Sequence, residues 1–388
     1  MRAHAAAGVV ACVTLVLWLA PAGEALASGW TVRPTPNPIG AAHSQLVGVS
    51  CPSRNLCIAV GYSSVRAGAF TTLAERWDRN GWSIQRTQTP AGAQVSVLSA
   101  ISCASRSSCT AVGYFTNGAG VAVPLAEHWN GRRWSVQRPP EPPNSTYSYL
   151  VAVSCAARRS CTAVGSVADT NGNELSLAER WDGTGWSIQP LQIPPGATAG
   201  RLNGASCTSP TTCTAVGTFL DPYGDYLTLV ERWNGIGWAV QSSANPSANY
   251  SQLVGAWCAS GGSCEAVGFF ANGDGPLRTL AERWNGTSWV IQPTPNRSGA
   301  RTNQLFAVAC RSTACTAVGN FANGGGAFGT LAERGKRDRW DIQPTAPPAG
   351  ATNSGLDAVA CPTAGSCTAV GYFIDRSGKV LTLAEQYG

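Results

Sequence analysis

Cysteine spacing is the feature of this chain that most limits what it can fold into. Seven cysteine pairs begin 51 or 52 residues apart, and such a fixed period marks a repeat architecture. In each copy a leucine lies five residues before the first cysteine, and x-Ala-Val-Gly follows the second. A motif close to Leu-Ala-Glu-Arg-Trp comes next, and Trp-x-x-Gln or a near variant ends the copy. The repeat units, numbered 1 to 7, span about 39–90, 91–142, 143–194, 195–246, 247–297, 298–348, and 349–388 plus 28–38.

Each unit has the pattern of four short strands, which we label a to d. Strand a is the apolar run that ends at the first cysteine, b is Cys-x-Ala-Val-Gly, c is the Leu-Ala-Glu-Arg-Trp motif and d is Trp-x-x-Gln. Turn signals rich in Gly, Asn and Asp separate the strands. Four-stranded units of this length arranged around an axis are β-propeller blades. The sequence therefore predicts an all-β fold, a seven-bladed β-propeller with four strands per blade, with a linear solenoid as the alternative.

The two ends of the repeat array favour the ring over the solenoid. Unit 7 stops after strand c, and the segment Trp30–Asn37 matches Trp289–Asn296, which carries strand d of unit 5. A linear stack would leave part of a unit at each end, whereas a ring pairs its first and last strands and removes the open edge. We therefore expect an N-terminal strand to complete unit 7 and close a single domain over 28–388.

Residues 1–27 have the pattern of a secretory signal peptide. Arg2 is followed by an apolar run over 5–20 and by the small-residue cleavage site at 25–27. The run is shorter than the ~20 residues of a spanning helix, so we expect no transmembrane segment after cleavage. A lipoprotein cleavage box at Cys12 is the weaker alternative, because the apolar run continues beyond it. The sequence predicts a secreted, extracellular protein, which we expect to be a monomer.

The predicted cleavage removes Cys12 from the 15 cysteines of the chain. The even number that remains in an exported chain favours disulfides. We predict one bridge within each a–b hairpin, namely Cys51–Cys57, Cys103–Cys109, Cys155–Cys161, Cys207–Cys213, Cys258–Cys264, Cys310–Cys315 and Cys361–Cys367. A zinc site would lack histidine partners, because the chain has 3 His in all, and redox exchange would favour Cys-x-x-Cys. We therefore expect no cofactor and no metal. The net charge of +6 is small for this length and argues against nucleic-acid binding.

Side chains that recur in every unit have a structural role as their default interpretation. The glutamate of strand c should be buried and should accept hydrogen bonds from backbone or indole N–H groups. It occurs at Glu75, Glu127, Glu179, Glu231, Glu282, Glu333 and Glu385. The tryptophan that opens strand d should pack one unit against the next. It occurs at Trp30, Trp82, Trp134, Trp186, Trp238, Trp289 and Trp340.

Side chains that differ between units are the candidates for function. In a propeller the b–c and d–a loops emerge on one face, and here they are long and variable. Residues six and eight positions before the first cysteine should line the mouth of the channel on that face. Their amides, tyrosines and arginine suit a glycan or protein ligand, through stacking and directional hydrogen bonds, with a solvated rim that binds no ligand as the alternative. The candidate ligand-binding residues are Gln45, Tyr147, Tyr149, Arg201, Tyr250, Gln252, Gln304 and Asn353.

Few side chains on this face are suited to catalysis. A glycosidase needs two carboxylates about 5–9.5 Å apart, and the non-repeated carboxylates are spread over several units: Glu141, Asp169, Glu174, Asp221, Asp225, Asp274, Asp357 and Asp375. Asp221 and Asp225 share one loop, where a turn-forming role is the stronger interpretation. The segment from Asp169 to Asn173 is similar to a calcium loop but lacks the glycine that should follow. No catalytic residue is assigned.

Basic residues gather at the opposite corners of units 6, 1, 2 and 3. A closed ring would join these units through unit 7 into one arc, which we call the basic crescent. It could contact an anionic polymer or lipid surface of the cell envelope, with ordinary solubilising charge as the alternative. Its members are Arg54, Arg79, Arg106, Arg132, Arg133, Arg158, Arg159, Arg311, Lys336, Arg337 and Arg339.

The repeat Ser-Cys-x-Ser-x-x-x-Cys-x-Ala-Val-Gly, followed by Leu-Ala-Glu-Arg-Trp-Asn-Gly-x-x-Trp, resembles exported bacterial proteins built from Trp-rich propeller repeats. This resemblance implies an architecture and no particular activity. The plan of the unit is also similar to sialidase and kelch propellers. However, the sialidase Ser-x-Asp-x-Gly-x-Thr-Trp box and the kelch double glycine are missing, and Arg201 alone cannot form an arginine triad. The leading hypothesis is a non-enzymatic binding protein, with a glycoside hydrolase or lyase and a structural surface protein as alternatives.

Overall fold

The computed structural model describes residues 29–388 except 67, 248, 261, 337 and 338. The predicted signal segment and Arg337 of the basic crescent lie outside the described residues. Every regular element in the described part is a β-strand, which confirms the predicted all-β class. No described residue belongs to a helix long and apolar enough to cross a bilayer.

The strands follow the predicted order of four per unit. The first, β1 (Trp30–Arg33), precedes unit 1. Unit 1 contains β2 (His43–Ser53), β3 (Leu56–Ser64), β4 (Phe70–Asp78) and β5 (Gly81–Gln85). Unit 2 contains β6 (Val95–Ser105), β7 (Ser108–Thr116), β8 (Ala122–Trp129) and β9 (Trp134–Gln137). Unit 3 contains β10 (Ser145–Ala157), β11 (Ser160–Asp169), β12 (Glu174–Trp181) and β13 (Trp186–Gln189).

The remaining units repeat this order. Unit 4 contains β14 (Ala199–Ser209), β15 (Thr212–Leu220), β16 (Tyr226–Trp233) and β17 (Trp238–Gln241). Unit 5 contains β18 (Tyr250–Cys258), β19 (Cys264–Ala271), β20 (Arg278–Trp284) and β21 (Trp289–Gln292). Unit 6 contains β22 (Thr302–Arg311), β23 (Ala314–Ala322), β24 (Phe328–Lys336) and β25 (Arg339–Gln343). Unit 7 contains β26 (Asn353–Thr363), β27 (Ser366–Ile374) and β28 (Val380–Tyr387).

Consecutive strands of a unit pair antiparallel, and the N-terminal strand supplies the fourth strand of unit 7. β1 pairs antiparallel with β28, with Trp30 opposite Tyr387. The first strand of each unit contacts the first strand of the next, and β26 contacts β2. The outer edge of β28 is therefore covered by a strand from the other end of the chain, which removes unpaired backbone groups from that edge.

The strand register separates two faces. His43 at the start of strand a lies opposite Ser64 at the end of strand b, so the d–a and b–c loops emerge together on what we call the loop face. The a–b and c–d corners lie at the other end, which we call the disulfide face. The seven predicted disulfides form there, with S–S distances between 2.01 and 2.10 Å. Each disulfide links strand a to strand b of one unit.

The apolar core lies between neighbouring units. Val60 and Ala74 of unit 1 pack against Leu98 and Ala111 of unit 2, all of them buried. The same layering joins Val370 of unit 7 to residues of unit 1. A single unit could not bury both faces of its sheet, so each depends on its neighbours for the hydrophobic free energy that stabilises it.

Three polar contacts between units repeat around the molecule. The serine before the first cysteine accepts a hydrogen bond from the main-chain N–H of the next unit's first cysteine; this holds for Ser50, Ser102, Ser154 and Ser206. The threonine after the second cysteine lies 3.5–3.8 Å from a disulfide sulfur of the next unit; this holds for Thr110, Thr162, Thr214, Thr316 and Thr368. The arginine of strand c stacks on the next unit's strand c aromatic ring; this holds for Arg180, Arg232 and Arg334.

The repeated tryptophans make their main ring contact within a unit. Trp82 lies across the c–d hairpin from Trp77, with ring centroids 5.8 Å apart, and Trp30 makes the matching pair with Tyr387 at 5.6 Å. Two of them also reach the preceding unit, as predicted: the Trp186 indole N–H donates to Gln137 at 3.0 Å and that of Trp289 donates to Gln241. Each ring therefore ties strand c to strand d and also contributes to packing between units.

The repeated glutamates are fully buried, as predicted, but among the described residues the expected hydrogen bonds reach only Glu127 and Glu282. Glu127 accepts from the main-chain N–H of Gln88 at 3.1 Å, and Glu282 accepts from the Ser243 hydroxyl at 2.6 Å. The donors found among the described residues are backbone and hydroxyl groups, not indole N–H groups. Burial raises the pKa of all seven carboxyl groups to about 7 or 8. These side chains are therefore extensively protonated at neutral pH.

Candidate functional site

A tyrosine pocket opens on the loop face between units 2 and 3. Tyr147 and Tyr149 stack with ring centroids 5.8 Å apart and ring planes 11° apart. Tyr114 of unit 2 approaches Tyr149 with a centroid distance of 6.3 Å. The pocket has a volume of about 600 Å3, and Val121 and Ala122 add apolar wall. Two of the predicted ligand-binding residues thus form one aromatic surface together with a third tyrosine from the neighbouring unit.

Hydrogen bonds fix the polar end of this pocket. The Tyr149 hydroxyl donates to Glu174 Oε1 at 2.8 Å, and the Ser166 hydroxyl donates to the same oxygen at 2.7 Å. Burial raises the pKa of Tyr149 to about 12, and the Glu174 carboxylate contributes to the rise. The phenol therefore remains a neutral donor at physiological pH, and its ring is held in one orientation for contact with a ligand.

Arg201, Gln252 and Tyr250 form a second polar group one unit further on. Arg201 Nη2 donates to Gln252 Oε1 at 3.1 Å, and the Tyr250 hydroxyl approaches the same oxygen at 3.3 Å. Gln252 is only 8% exposed, so its amide mainly orients the other two side chains. Tyr226 packs edge-on against Tyr250 at 5.7 Å. Arg201 and Tyr226 also line a separate cavity of about 300 Å3 between units 3 and 4.

A carboxylate joins the last unit to the first on the same face. Gln45 Nε2 donates to Asp357 Oδ2 at 2.9 Å, and the Tyr62 hydroxyl donates to Gln45 Oε1 at 2.9 Å. Burial raises the pKa of Asp357 to about 6, although the Gln45 hydrogen bond opposes the rise. The pKa of Tyr62 rises to about 12, mainly through burial and secondarily through the Asp357 charge. Gln45 therefore bridges two units as well as facing the candidate site.

The last two predicted residues lie apart from these groups. Gln304 is half-buried and lies opposite Asn320 on the next strand of unit 6. Asn353 Oδ1 accepts a hydrogen bond from the main-chain N–H of Phe328 at 2.8 Å, so this amide joins unit 7 to unit 6. The structure thus brings the candidate residues into separate local groups, of which the tyrosine pocket is the most developed.

Loop carboxylates organise their own turns. Asp221 Oδ1 accepts from the main-chain N–H groups of Tyr223 at 2.8 Å and Asp225 at 2.9 Å. Asp169 makes the same kind of contact with Asn171 and Asn173. These bonds match the turn-forming interpretation of the Asp221 loop. Among the described residues, no group of three or more His, Cys, Asp or Glu side chains is placed to hold a metal ion.

The sequence analysis missed the strand b side chains of the loop face. Tyr62, Tyr114 and Tyr372 each follow the repeated glycine of strand b, and each lies opposite a residue six positions before the first cysteine. Their constant offset from that glycine was a usable signal. Glu174 was considered only as a catalytic carboxylate, and its contact with Tyr149 gives it a positioning role instead.

Comparisons with known proteins bear on the fold. No family model and no curated protein matches the chain. A structure of YCF48 bound to D1 peptide has a TM-score of 0.50 at 13% identity and covers 92% of this chain and 97% of that one. A PL25 ulvan lyase gives 0.48 at 7% identity over 89% and 95% of the two chains. Trypanosoma rangeli sialidase in complex with sialic acid gives 0.46 at 10% identity over 89% and 54%. Together with the four-stranded antiparallel units of this chain, the likeness to YCF48 supports the β-propeller fold.

Proposed function

We propose that the chain forms a closed ring of seven blades and acts as a secreted, non-enzymatic binding protein. Contacts between the last and first units support closure: Asp357 of unit 7 accepts from Gln45, and Thr368 of unit 7 reaches the Cys57 sulfur. A cavity of about 600 Å3 on the disulfide face is lined jointly by units 1, 2, 5, 6 and 7, as a central channel requires. The seven disulfides favour an oxidising compartment.

The ligand we propose for the loop face is a segment of another protein. The tyrosine pocket carries this proposal, because it combines a stacked tyrosine pair, apolar walls and a phenol that Glu174 holds in one orientation within about 600 Å3. Aromatic side chains with one polar end are enriched where proteins bind one another. Such a pocket accepts an apolar or aromatic side chain of the partner. The structure of YCF48, which is similar in fold, has the D1 peptide bound.

A hydrolase or lyase is less well supported. The two carboxylates that share a loop, Asp221 and Asp225, lie in a turn in which Asp221 accepts main-chain N–H groups. Asp357 accepts a hydrogen bond from Gln45 at the junction of two units. Hydrolysis of a glycosidic bond would need a pair of carboxylates free to act as acid and as base or nucleophile.

Selection from a phage-displayed random peptide library tests the proposal. We expect peptides with an aromatic or apolar anchor to bind the mature chain, and Tyr149→Ala to weaken their binding about tenfold or more, which is about 1.4 kcal/mol. Tyr223→Ala is the matched control, since Tyr223 is 88% exposed in a loop of unit 4 and lies outside the pocket. A glycan array and a polysaccharide hydrolase screen are run on the same sample.

Three outcomes would overturn this function. If the selection enriches no peptide, the proposal of a protein ligand is wrong. Glycan binding lost in Tyr149→Ala would assign the pocket to sugars. Polysaccharide cleavage abolished by Asp221→Asn would make the protein an enzyme.

A further inference from the structure

Unit 5 breaks the repeated contacts between units at two positions. Trp257 stands where units 1 to 4 have the serine that accepts the next unit's cysteine N–H. Glu265 stands where the other units have threonine or, in unit 1, isoleucine. Both departures lie on the disulfide face, on the side of unit 5 that packs against unit 6. Substitutions that a repeat does not need for its own packing are candidates for a function of that one unit.

Unit 6 carries a complementary departure. Gly335 stands where the strand c aromatic occurs in every other unit. Arg180, Arg232 and Arg334 stack on the strand c ring of the following unit, whereas the unit that follows Arg283 has glycine at that ring position, Gly335. Arg283 instead forms an ion pair with Glu265. The glycine of unit 6 and the carboxylate of unit 5 therefore both change the surroundings of Arg283.

These changes open a cavity of about 370 Å3 at the boundary between units 5 and 6. Trp257 forms one wall, the Glu265–Arg283 ion pair forms another, and the hydroxyl-bearing residues Ser312 and Thr313 line the unit 6 side. The a–b corner of unit 6 is one residue shorter than in the other units, because Cys315 follows Cys310 at a sequence separation of 5 instead of 6. Ser312 adopts a φ of 55° in this corner, an uncommon conformation for a residue other than glycine.

We propose that this cavity is a binding site for a neutral sugar ring. An indole presents a flat apolar surface on which the C–H face of a pyranose can stack. Next to the indole, the Glu265 carboxylate can accept a hydrogen bond from one sugar hydroxyl, and the Arg283 guanidinium can donate one to a neighbouring hydroxyl oxygen. The ion pair can therefore bind two adjacent hydroxyl groups of the sugar. Ser312 and Thr313 add hydroxyl partners. The site lies on the disulfide face, opposite the tyrosine pocket, and is independent of the protein-binding function proposed above.

Charge balance favours a neutral ligand over an acidic one. Glu265 is 5% exposed and the Arg283 side chain is 24% exposed, so both charges are largely removed from water and neutralise each other. An anionic group that binds Arg283 would lie beside the Glu265 carboxylate, and the repulsion between these like charges opposes its binding. A neutral sugar can hydrogen bond to the pair without separating it.

An array of neutral, uronic-acid-bearing and sialylated oligosaccharides tests the proposal with the mature chain. We expect binding to neutral glycans, confirmed by saturation-transfer NMR and by titration calorimetry. Trp257→Ser should weaken this binding about tenfold or more. This variant installs the residue that units 1 to 4 carry at the same position, so it is compatible with the fold. Glu265→Thr installs the residue of five other units and should weaken binding comparably.

Tyr223→Ala serves as the control for location, because Tyr223 is exposed in a loop of unit 4 on the loop face; this variant should bind the neutral glycan with unchanged affinity. Thermal unfolding of each variant checks that the fold persists. The proposal is wrong if no neutral glycan binds, if the sialylated or uronic glycans bind in preference, or if the folded Trp257→Ser variant retains the affinity of the parent chain.

Discussion

Gly165 shows how closely two strands of one unit approach each other. A Cβ atom at this position would lie 2.0 Å from the main-chain oxygen of Tyr149. The approach follows from a register shift between Leu150 and Ala152, where strand a carries one extra residue and bends towards strand b. Every unit has a glycine here because any side chain would meet backbone atoms rather than a flexible side chain.

Gly165→Ala should therefore destabilise the protein by about 3 kcal/mol or more, since the two strands must separate to admit the methyl group. Urea unfolding followed by tryptophan fluorescence measures the change. Gly185→Ala in the same unit is the control, because a Cβ atom there would meet no atom within 4 Å. Equal stability of the two variants would contradict the close approach.

At the scale of a strand, the buried glutamate makes stability depend on pH. The pKa of Glu179 is raised to about 8 by burial, against an ordinary value of 4.5. The folded chain then holds a proton that the unfolded chain releases between these values. The stabilisation that this bound proton contributes is complete below pH 4.5 and is lost as pH rises towards 8. The other six glutamates are raised in the same direction, so the protein should be more stable at pH 5 than at pH 9.

Glu179→Gln tests this dependence, because an amide has the shape of the protonated acid and cannot ionise. The variant should match the parent chain at pH 5 and exceed its free energy of unfolding at pH 9 by about 2 kcal/mol. Glu141→Gln, which changes an exposed carboxylate, is the control. If both variants lose stability with pH as steeply as the parent, the buried carboxylates do not titrate as described.

Seven copies of each strand made the fold largely predictable from sequence. Strand order, disulfide pairing and the position of Trp30 beside the last strand could be derived by comparing the copies. Site partners that join different units could not be derived in this way: Gln45 and Asp357 are 312 positions apart, and their contact depends on how the last unit meets the first. Trp257 and Glu265 differ from the residues at the same positions in most other units. Their shared cavity could not be predicted from that difference, because it also depends on Gly335 and the shortened corner of unit 6.

At the scale of the whole molecule, the basic crescent predicts binding to anionic surfaces. Its described members are exposed at the corners of the disulfide face, and Arg132 and Arg133 are two neighbouring members in unit 2. Each arginine near an anionic surface contributes about 1 kcal/mol. Arg132→Gln combined with Arg133→Gln should weaken binding to phosphatidylglycerol vesicles about 30-fold. Arg201→Gln on the loop face is the control, and binding that is insensitive to salt would contradict the prediction.

The proposed closure of the ring rests on the pairing of β1 with β28. Trp30 is 5% exposed and packs on Tyr387, while Asn37 Oδ1 accepts the main-chain N–H of Thr382 at 3.1 Å. Trp30→Ala should cost about 3 kcal/mol. Deleting 30–34 should cost at least as much, and it should also make β28 an open edge that is sensitive to protease and prone to pair with other chains.

Melting temperature, limited proteolysis and light scattering follow these effects. Thr31→Val is the control for the deletion, because it leaves the β1 backbone in place and removes only an exposed hydroxyl contact with the Gln386 carbonyl. An edge strand in a linear stack would be dispensable, since its loss would expose only one more edge. In a ring the same strand joins the two ends of the chain, so its loss weakens the contacts of units 7 and 1 together. A deletion variant with the parent's melting temperature and protease resistance would therefore rule out the closed ring.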